Sequence, residues 1–207
     1  MSSKTTSKQG TANPLIVVIS GPSGVGKDTL IERMAELGQN HHFTVTATTR
    51  SPRPGERDGV NHHFVTKNEF INMIESDELL EWAEVYGNYY GVPKKQVRDA
   101  LERGQHVLIR VDVQGARRLR QLLPEGLQIF VMPPSMDSLR QRLKRRGVNT
   151  AEDMENRLTA ASDELLESEE FDYCVVNADG QLDETVRQVA EIFDRESRRN
   201  PPRKYDL

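Results

Sequence analysis

The sequence has little that would cross-link the chain, anchor it in a membrane or bind it to nucleic acid. Its single cysteine, Cys174, has no partner for an internal disulfide, which is typical of a reducing compartment. No apolar run approaches the ~20 residues of a membrane-spanning helix. The opening residues 1–14 contain no apolar core of a secretory signal. A net charge of −4 gives no reason to expect a nucleic acid partner. We therefore expect a cytoplasmic protein that acts on small molecules, as a monomer or a homodimer.

The chain has the composition and length of one folded domain. Hydrophobic residues make up 36% of its 207 residues and charged residues 29%, which suits a soluble protein with a substantial core. We expect a flexible tail at 1–13, one domain at 14–198, and a polar, fraying tail at 199–207. Cys174 lies in the apolar run "YCVV", which indicates a buried structural thiol rather than a nucleophile.

Apolar runs rich in β-branched residues alternate with segments of helical spacing. Such alternation predicts an α/β fold with a parallel sheet flanked by crossover helices. The predicted strands are 15–20, 106–113, 127–132 and 172–177. One predicted helix follows the glycine-rich loop at 21–27. The other predicted helices lie at 93–103, 114–123, 135–146, 151–168 and 181–198. Region 43–92 breaks the alternation with turns and short polar strands, and we expect a smaller strand-rich insertion there.

The stretch "GPSGVGKD" is a phosphate-binding loop with one unusual residue. Gly21, Gly26 and Lys27 satisfy the pattern G-x-x-x-x-G-K-[ST], between a predicted strand and a predicted helix. Backbone N–H groups of such a loop surround a phosphate at the positive end of the helix, and the lysine reaches the β and γ oxygens. The residues predicted to bind ATP here are Gly21, Pro22, Ser23, Gly24, Val25, Gly26, Lys27, Asp28 and Thr29.

Asp28 stands where the pattern has a hydroxyl, and its carboxylate has two interpretations. As a hard oxygen ligand it would contact Mg²⁺, directly or through water. Alternatively it is a favourable negative charge at a helix N-terminus. Thr29 supplies the nearest other hydroxyl, but the next residue on a helix points about 100° away. We favour the magnesium interpretation.

Two arginines flank a proline-bearing turn in "TTRSPRPGERDG". Arg50 and Arg53 on a restricted loop form a clamp for a small dianion. Together with the phosphate loop, this clamp indicates a second, phosphorylated substrate.

With these motifs the sequence resembles the guanylate kinases. The matching motifs are "GPSGVGK", "TTRSPRPGERDG", "EFINMI…LLEWAEVYGNYYG", "DVQGA", "PPSMDSLRQRLKRRG" and "VVN", in the family's order over roughly 15–195. The resemblance implies a P-loop NTPase-type core, a GMP-binding subdomain at about 43–92 and a helical lid at about 143–166. It also implies the reaction MgATP + (d)GMP to ADP + (d)GDP.

The resemblance assigns roles to residues of the acceptor site. It places Arg50, Arg53, Tyr90 and, where the family usually has tyrosine, His62 on the GMP phosphate. It places Thr46, Glu81 and Asp112 on guanine. Carboxylates accept hydrogen bonds only, so they match the donors at N1 and N2, whereas adenine's bare N1 would be repelled.

The resemblance also implies the residues near the transferred group and the adenine. Lys27 and the lid arginines Arg142, Arg146 and Arg157 would lie near the transferring phosphoryl group, and Asn177 near the adenine end of ATP. Besides Asp28 and His62, two further residues depart from the family pattern. Val92 stands where the family often has a serine or threonine, so a hydroxyl is missing there. Arg110 stands where the family commonly has an acid. It either weakens metal binding or points outward without consequence.

Two other functions stay open beside GMP phosphorylation. A related kinase of another phosphorylated acceptor, such as ribose bisphosphate, would keep the loop and lid but would not need Glu81 and Asp112. A kinase-like binding scaffold typically loses the loop lysine and lid arginines, which this chain keeps. His62 and His63 lie next to each other and point to opposite faces of a strand, so we expect no structural zinc site.

Overall fold

A computed structural model describes residues 13–38, 40–85, 87–145 and 150–207. The strands are β1 (Ile16–Ser20), β2 (His41–Phe43), β3 (Ala47–Thr48), β4 (His63–Phe64), β5 (Leu79–Val85), β6 (Asn88–Pro93), β7 (His106–Arg110), β8 (Leu127–Met132) and β9 (Tyr173–Val176). The helices are α1 (Lys27–Glu36), α2 (Lys67–Glu75), α3 (Lys94–Glu102), α4 (Val113–Leu122), α5 (Met136–Arg145), α6 (Ala151–Leu166) and α7 (Leu182–Ser197), with a short 3-10 helix at Glu167–Glu170.

The main sheet is parallel and has the strand order β2-β7-β1-β8-β9 within the described residues. Strand β1 lies at its centre and is buried along its whole length. Side chains of a strand alternate between the two faces. Val17 and Ile19 therefore pack in a core cluster that includes residues of α1 and α7, whereas Ile16 and Val18 pack in one that includes residues of α3 and α4. The predicted parallel sheet flanked by helices is confirmed.

A second sheet, of order β4-β3-β6-β5, lies within the region predicted to be strand-rich. Helix α2 packs against it through the buried ring of Phe70, which stacks on Tyr89 with centroids 5.4 Å apart. Thr66 begins this helix with a capping box, because its hydroxyl accepts from the Glu69 N–H while the Glu69 carboxylate accepts from the Thr66 N–H. The insertion therefore has a small core of its own.

Helices α5 and α6 form a third packing unit. Their apolar side chains make a separate small cluster of Leu139, Leu143, Met154, Leu158 and Ala161. The predicted lid at about 143–166 falls on these helices, and its connecting residues 146–149 lie outside the described residues. The assignment of a lid stays a prediction. No helix in the described part of the chain is both long and apolar enough to cross a membrane.

Strand β2 was not predicted from the sequence. It pairs with β7 at one edge of the main sheet, with His41 beside His106 and Phe43 beside Leu108. A run of three residues that contains two histidines lacks the apolar pattern of a buried strand, so only its neighbour β7 reveals it.

The polar C-terminus does not fray as the sequence suggested. The Tyr205 hydroxyl accepts a hydrogen bond from the N–H of Ile16 at 3.1 Å, and Leu207 packs against the core. The guanidinium of Arg203 pairs with Glu196 at 2.7 Å, and both side chains are mostly buried. The expectation of a frayed end was wrong, because two apolar anchors follow the prolines.

The prediction that Cys174 is buried was also wrong, since its side chain is exposed. Cys174 lies on β9, the edge strand opposite β2 in the main sheet. Val175 points into the core, whereas Val176 on the same face as Cys174 leaves 45% of its surface exposed. An apolar run in an edge strand therefore need not be covered on both faces.

Candidate functional site

A cleft of about 560 Å³ lies where the main sheet, the insertion and α6 meet. From the core it is lined by the phosphate loop, residues 21–28, and by the end of β7 and the two residues after it, Arg110 to Asp112. From the insertion it is lined by four of the predicted acceptor residues, Thr46, His62, Glu81 and Tyr90. Helix α6 contributes Glu164. The structure thus brings the predicted ATP loop and most predicted GMP residues to one space.

The loop follows directly from the end of β1 and leads into α1. Gly21, Gly24 and Gly26 adopt positive φ angles of 142°, 86° and 101°, which side chains rarely adopt. A β-carbon at Gly21 would meet the carbonyl oxygen of Val131. The glycines are therefore required for the chain to turn tightly beneath a phosphate.

Lys27 begins α1 and folds back over the loop. Its ammonium group donates to the carbonyl oxygens of Gly21 and Pro22, the latter at 3.2 Å. These contacts hold a positive charge beside the loop and at the N-terminus of α1, where the helix dipole also favours an anion. This arrangement suits a polyphosphate.

Asp28 makes an ion pair with Arg110. The guanidinium Nη1 donates to Asp28 Oδ1, and each side chain leaves 46% of its surface exposed. Arg110 lines the cleft, and burial lowers its pKa. The sequence marked both residues as departures from a pattern but did not indicate that they pair.

A buried carboxylate lies at the insertion side of the cleft. Glu81 leaves only 8% of its surface exposed, and burial raises its pKa. The Arg118 guanidinium donates to it from Nε at 3.2 Å and opposes that rise. Asp112 caps α4 by accepting from the Gly115 N–H at 2.7 Å. Two carboxylates therefore share the cleft with an arginine, Arg118, that the sequence reasoning missed.

The predicted phosphate clamp is closed on a carboxylate of the chain itself. Arg50 donates to both oxygens of Glu56 at 2.9 and 3.0 Å, and its guanidinium packs over the ring of Phe64. Glu56 also accepts from the backbone N–H of Arg53 at 2.7 Å, and these donors lower the pKa of Glu56 to about 2. The side chain of Arg53 is exposed and does not line the cleft. Sequence reasoning missed Glu56, although an acid inside an arginine-bearing turn is a visible signal.

His62 lies beside Tyr90, with ring centroids 6.2 Å apart. Its Nδ1 is buried without a hydrogen-bond partner among the described residues. Burial is the main cause that lowers the pKa of His62, and the nearby charge of Arg50 lowers it further. The lowered pKa favours the neutral form of the imidazole.

Arg142 binds the phosphate loop rather than the open cleft. It donates to the carbonyl oxygens of Val25 and Asn177, each at 2.7 Å, and pairs with Asp179 at 2.8 Å. The Asn177 amide donates to Val25 as well, at 2.9 Å. Together with Thr29, Arg142 and Asn177 line a second cavity of about 280 Å³ on the other side of the loop.

Arg157, another of the predicted lid arginines, is not brought to the cleft. Arg157 bonds to Asp153 one turn earlier at 3.3 Å, and its side chain is exposed. Arg146 lies outside the described residues. Glu164 was missed by the sequence reasoning. It lines the cleft beside the loop, and burial raises its pKa.

The donor set fits a metal ion that arrives with a nucleotide. Across the described ranges there is no group of three or more histidine, cysteine or acidic side chains able to hold a metal alone. Magnesium bound to nucleotide phosphates needs only one or two protein oxygens and keeps several waters. Asp28 offers a half-exposed carboxylate beside the loop, so the residues present fit such an ion.

Comparisons with known proteins agree with this geometry. The family model described as "Guanylate kinase" matches residues 13–196. "Guanylate kinase 2, chloroplastic/mitochondrial" of Oryza sativa subsp. japonica is 48% identical over 184 residues, which cover 88% of this chain and 65% of the rice protein. "Guanylate kinase" of Synechococcus sp. is 46% identical, with 86% and 81% of the two chains covered.

A solved structure shows the same likeness. The crystal structure of guanylate kinase from Anaplasma phagocytophilum superposes with a TM-score of 0.72 at 34% identity, covering 92% of this chain and 89% of that one. The match spans the core and the insertion that form the cleft. The chain therefore belongs to the guanylate kinase family.

Proposed function

We infer that this protein is an enzyme that transfers the γ-phosphoryl group of ATP to GMP, giving ADP and GDP. One observation carries this inference. A single cleft joins a phosphate-binding loop to two carboxylates, Glu81 and Asp112, that suit a guanine base. Its volume of about 560 Å³ is within the range of about 300–1,000 Å³ usual for small-molecule sites.

The acceptor base is recognised by hydrogen-bond polarity. Guanine offers donors at N1 and N2, and a carboxylate can only accept. Glu81 is held in place by Arg118, and Asp112 by the first turn of α4. The hydroxyl of Thr46 suits the O6 atom. This donor and acceptor pattern favours GMP or dGMP over AMP, and over a ribose bisphosphate that has no base.

The acceptor phosphate is bound by Arg50, Arg53, Tyr90 and His62. Arg50 holds Glu56 in the structure described here, and we propose that the dianionic phosphate takes the place of that carboxylate. Arginine binds phosphate and carboxylate with the same two-pronged geometry, so the exchange conserves the hydrogen bonds of Arg50.

The donor nucleotide binds with its phosphates in the loop of residues 21–28. Lys27 lies at the β and γ oxygens, and Asn177 lies near the adenine end. Mg²⁺ bound with ATP would be held by Asp28 and would supply charge neutralisation between the β- and γ-phosphates. Thr29 faces the second cavity rather than the cleft.

The reaction needs charge neutralisation more than proton transfer. The acceptor atom is a phosphate oxygen that is largely ionised at neutral pH, so no strong general base is required. The obstacle is bringing two polyanions into line. Lys27 and Arg142 lie at the loop, and we propose that closure of the predicted lid adds Arg157 of α6 and the lid residue Arg146. Closure also excludes water, which limits hydrolysis of ATP.

The cellular setting is part of the same proposal. A kinase of GMP returns this nucleotide to the diphosphate pool of purine metabolism. We place the enzyme in the cytoplasm because its composition and lone cysteine suit a reducing compartment. Fractionation of cells that produce the full chain tests this placement.

The decisive experiment is a coupled assay of ADP release. GMP, dGMP, AMP, CMP and ribose 1,5-bisphosphate are offered as acceptors at equal concentration with MgATP. We expect turnover with GMP and dGMP and little with the others. Equal rates with AMP and GMP would contradict the proposed reading of guanine, and ATP binding without turnover of any acceptor would favour a binding scaffold.

A further inference from the structure

Asp28 creates an electrostatic problem at the phosphate loop. It lies in the first turn of α1, at the position where the loop pattern has a hydroxyl. A carboxylate at this place adds a full negative charge beside a site that must bind a polyphosphate. Some positive charge must offset it, or the loop would bind ATP poorly.

Arg110 is placed to supply that charge. It is the last residue of β7, which pairs in parallel with β1 so that Ile19 lies opposite Arg110. The two strands therefore end side by side. Strand β1 continues into the phosphate loop, and β7 ends at Arg110 next to it. Its Nη1 donates to Asp28 Oδ1, and both side chains line the same cleft.

The exposure of the pair argues against a role in folding. Each partner leaves 46% of its side chain exposed, and ion pairs in contact with solvent contribute little to stability. A ligand that fills the cleft would exclude this solvent, and charges act more strongly on one another where water is excluded. The effect of the pair should therefore fall on the bound nucleotide.

We propose that Arg110 determines ATP affinity by cancelling the charge that Asp28 adds to the triphosphate site. Towards Mg²⁺-free ATP the two residues then act as one neutral unit, whereas Mg²⁺ would be held through the Asp28 oxygen that Arg110 does not contact. The inference rests on the proposed function, since it requires ATP in the loop. It assigns Arg110 as a positioning residue for the donor nucleotide.

The proposal predicts opposite effects of the two single substitutions on Mg²⁺-free ATP. Arg110→Gln exposes the charge of Asp28 and should weaken ATP binding by about tenfold, which corresponds to about 1.4 kcal/mol. Asp28→Asn leaves the positive charge of Arg110 unpaired beside the phosphates and should tighten binding by a similar factor. The double variant should return to the wild-type dissociation constant. Arg110→Lys keeps the charge and should stay within about threefold of the wild type.

The magnesium dependence gives a second readout. In Arg110→Gln the carboxylate of Asp28 has lost its partner, so it attracts Mg²⁺ more strongly than in the wild type although it repels free ATP. The ratio of dissociation constants for ATP in EDTA and in Mg²⁺ should therefore rise in Arg110→Gln and fall in Asp28→Asn. Isothermal titration calorimetry on the full chain measures both conditions without relying on turnover.

A matched control separates this effect from a change in net charge. Arg187 pairs with Glu184 on α7, their side chains are exposed by 58% and 41%, and neither lines the cleft. Arg187→Gln should leave the dissociation constant of ATP unchanged. Thermal melting of each variant establishes that it is folded.

The outcomes distinguish the inference from the proposed function. If the wild type binds ATP and Arg110→Gln binds it equally well, the inference fails alone. It also fails if Asp28→Asn does not rescue Arg110→Gln. If the wild type binds no ATP in either condition, the proposed function fails and the inference with it.

Discussion

Replacing Glu81 by glutamine tests the charge that is proposed to recognise guanine. The substitution keeps the size of the side chain but turns one acceptor oxygen into an N–H₂ donor. Glu81 is 8% exposed, so water does not take over the lost contact. A hydrogen bond to a charged group contributes about 1.5–3 kcal/mol, and an unpaired buried donor costs about 1–3 kcal/mol more.

These two losses determine the expected kinetic effect. About 3 kcal/mol corresponds to a fall of roughly a hundredfold in kcat/KM for GMP. The dissociation constant of ATP should hardly change, because Glu81 is not part of the phosphate loop. Burial raises the pKa of Glu81, so the assay is run at pH 8, where the ionised form is favoured.

Glu84→Gln is the matched control for this experiment. Glu84 lies on the same strand, β5, but its side chain is exposed and does not line the cleft. Its substitution should leave kcat/KM within about threefold of the wild type. The reasoning is refuted if Glu81→Gln keeps the wild-type kcat/KM for GMP, or if both variants lose activity equally.

Three further predictions concern stability. Arg142→Ala leaves the carbonyl oxygen of Asn177 without its donor and that of Val25 with the Asn177 amide alone, so we expect a loss of about 1–2 kcal/mol and a fall of about 2–8 °C in Tm, whereas exposed Arg145→Ala should melt like the wild type. Tyr205→Phe removes the acceptor of the Ile16 N–H and should lower Tm by about 2–4 °C in the same melts; an unchanged Tm would mean that the C-terminus does not support β1. Burial lowers the pKa of His41 to about 4, whereas an unfolded histidine titrates near 6.5. As the pH falls from about 6.5 towards 4, the unfolded chain takes up a proton before the folded chain does. The stability that neutral His41 contributes above about pH 6.5 should therefore be lost over this range. Urea melts at several pH values should show a shallower loss for His41→Gln, and an equal loss would exclude this histidine as the cause.

Local features of the fold were predictable because adjacent residues decide them. The apolar run of β1, the glycine loop and the amphipathic α1 are contiguous, so their pattern indicates both structure and phosphate binding. The strands at the centre of the main sheet are apolar because they are covered on both faces. Edge strands lack this signature, which is why β2 was missed and the exposure of Cys174 was wrongly predicted.

The members of the candidate site were largely predictable, but their partners were not. The loop pattern brought attention to Asp28, and the resemblance to the guanylate kinases brought attention to Glu81 and Arg110. Nothing in a linear pattern indicates that Asp28 pairs with a residue 82 positions away, or Glu81 with one 37 positions away. Even Glu56, six positions from Arg50, requires the turn geometry to make its two hydrogen bonds.

The sequence by itself determined the class of the protein: a parallel α/β core, a glycine-rich loop between its first strand and first helix, and a strand-rich insertion. Each of these is encoded in residues that are close together along the chain, where hydrophobic period and backbone freedom act directly. Only the tertiary structure decided how the charges are distributed, with Asp28 on Arg110, Glu81 on Arg118 and Arg50 on Glu56. The balance of charge in a cleft depends on distances and burial between elements that pack together, and those distances exist only once the chain has folded.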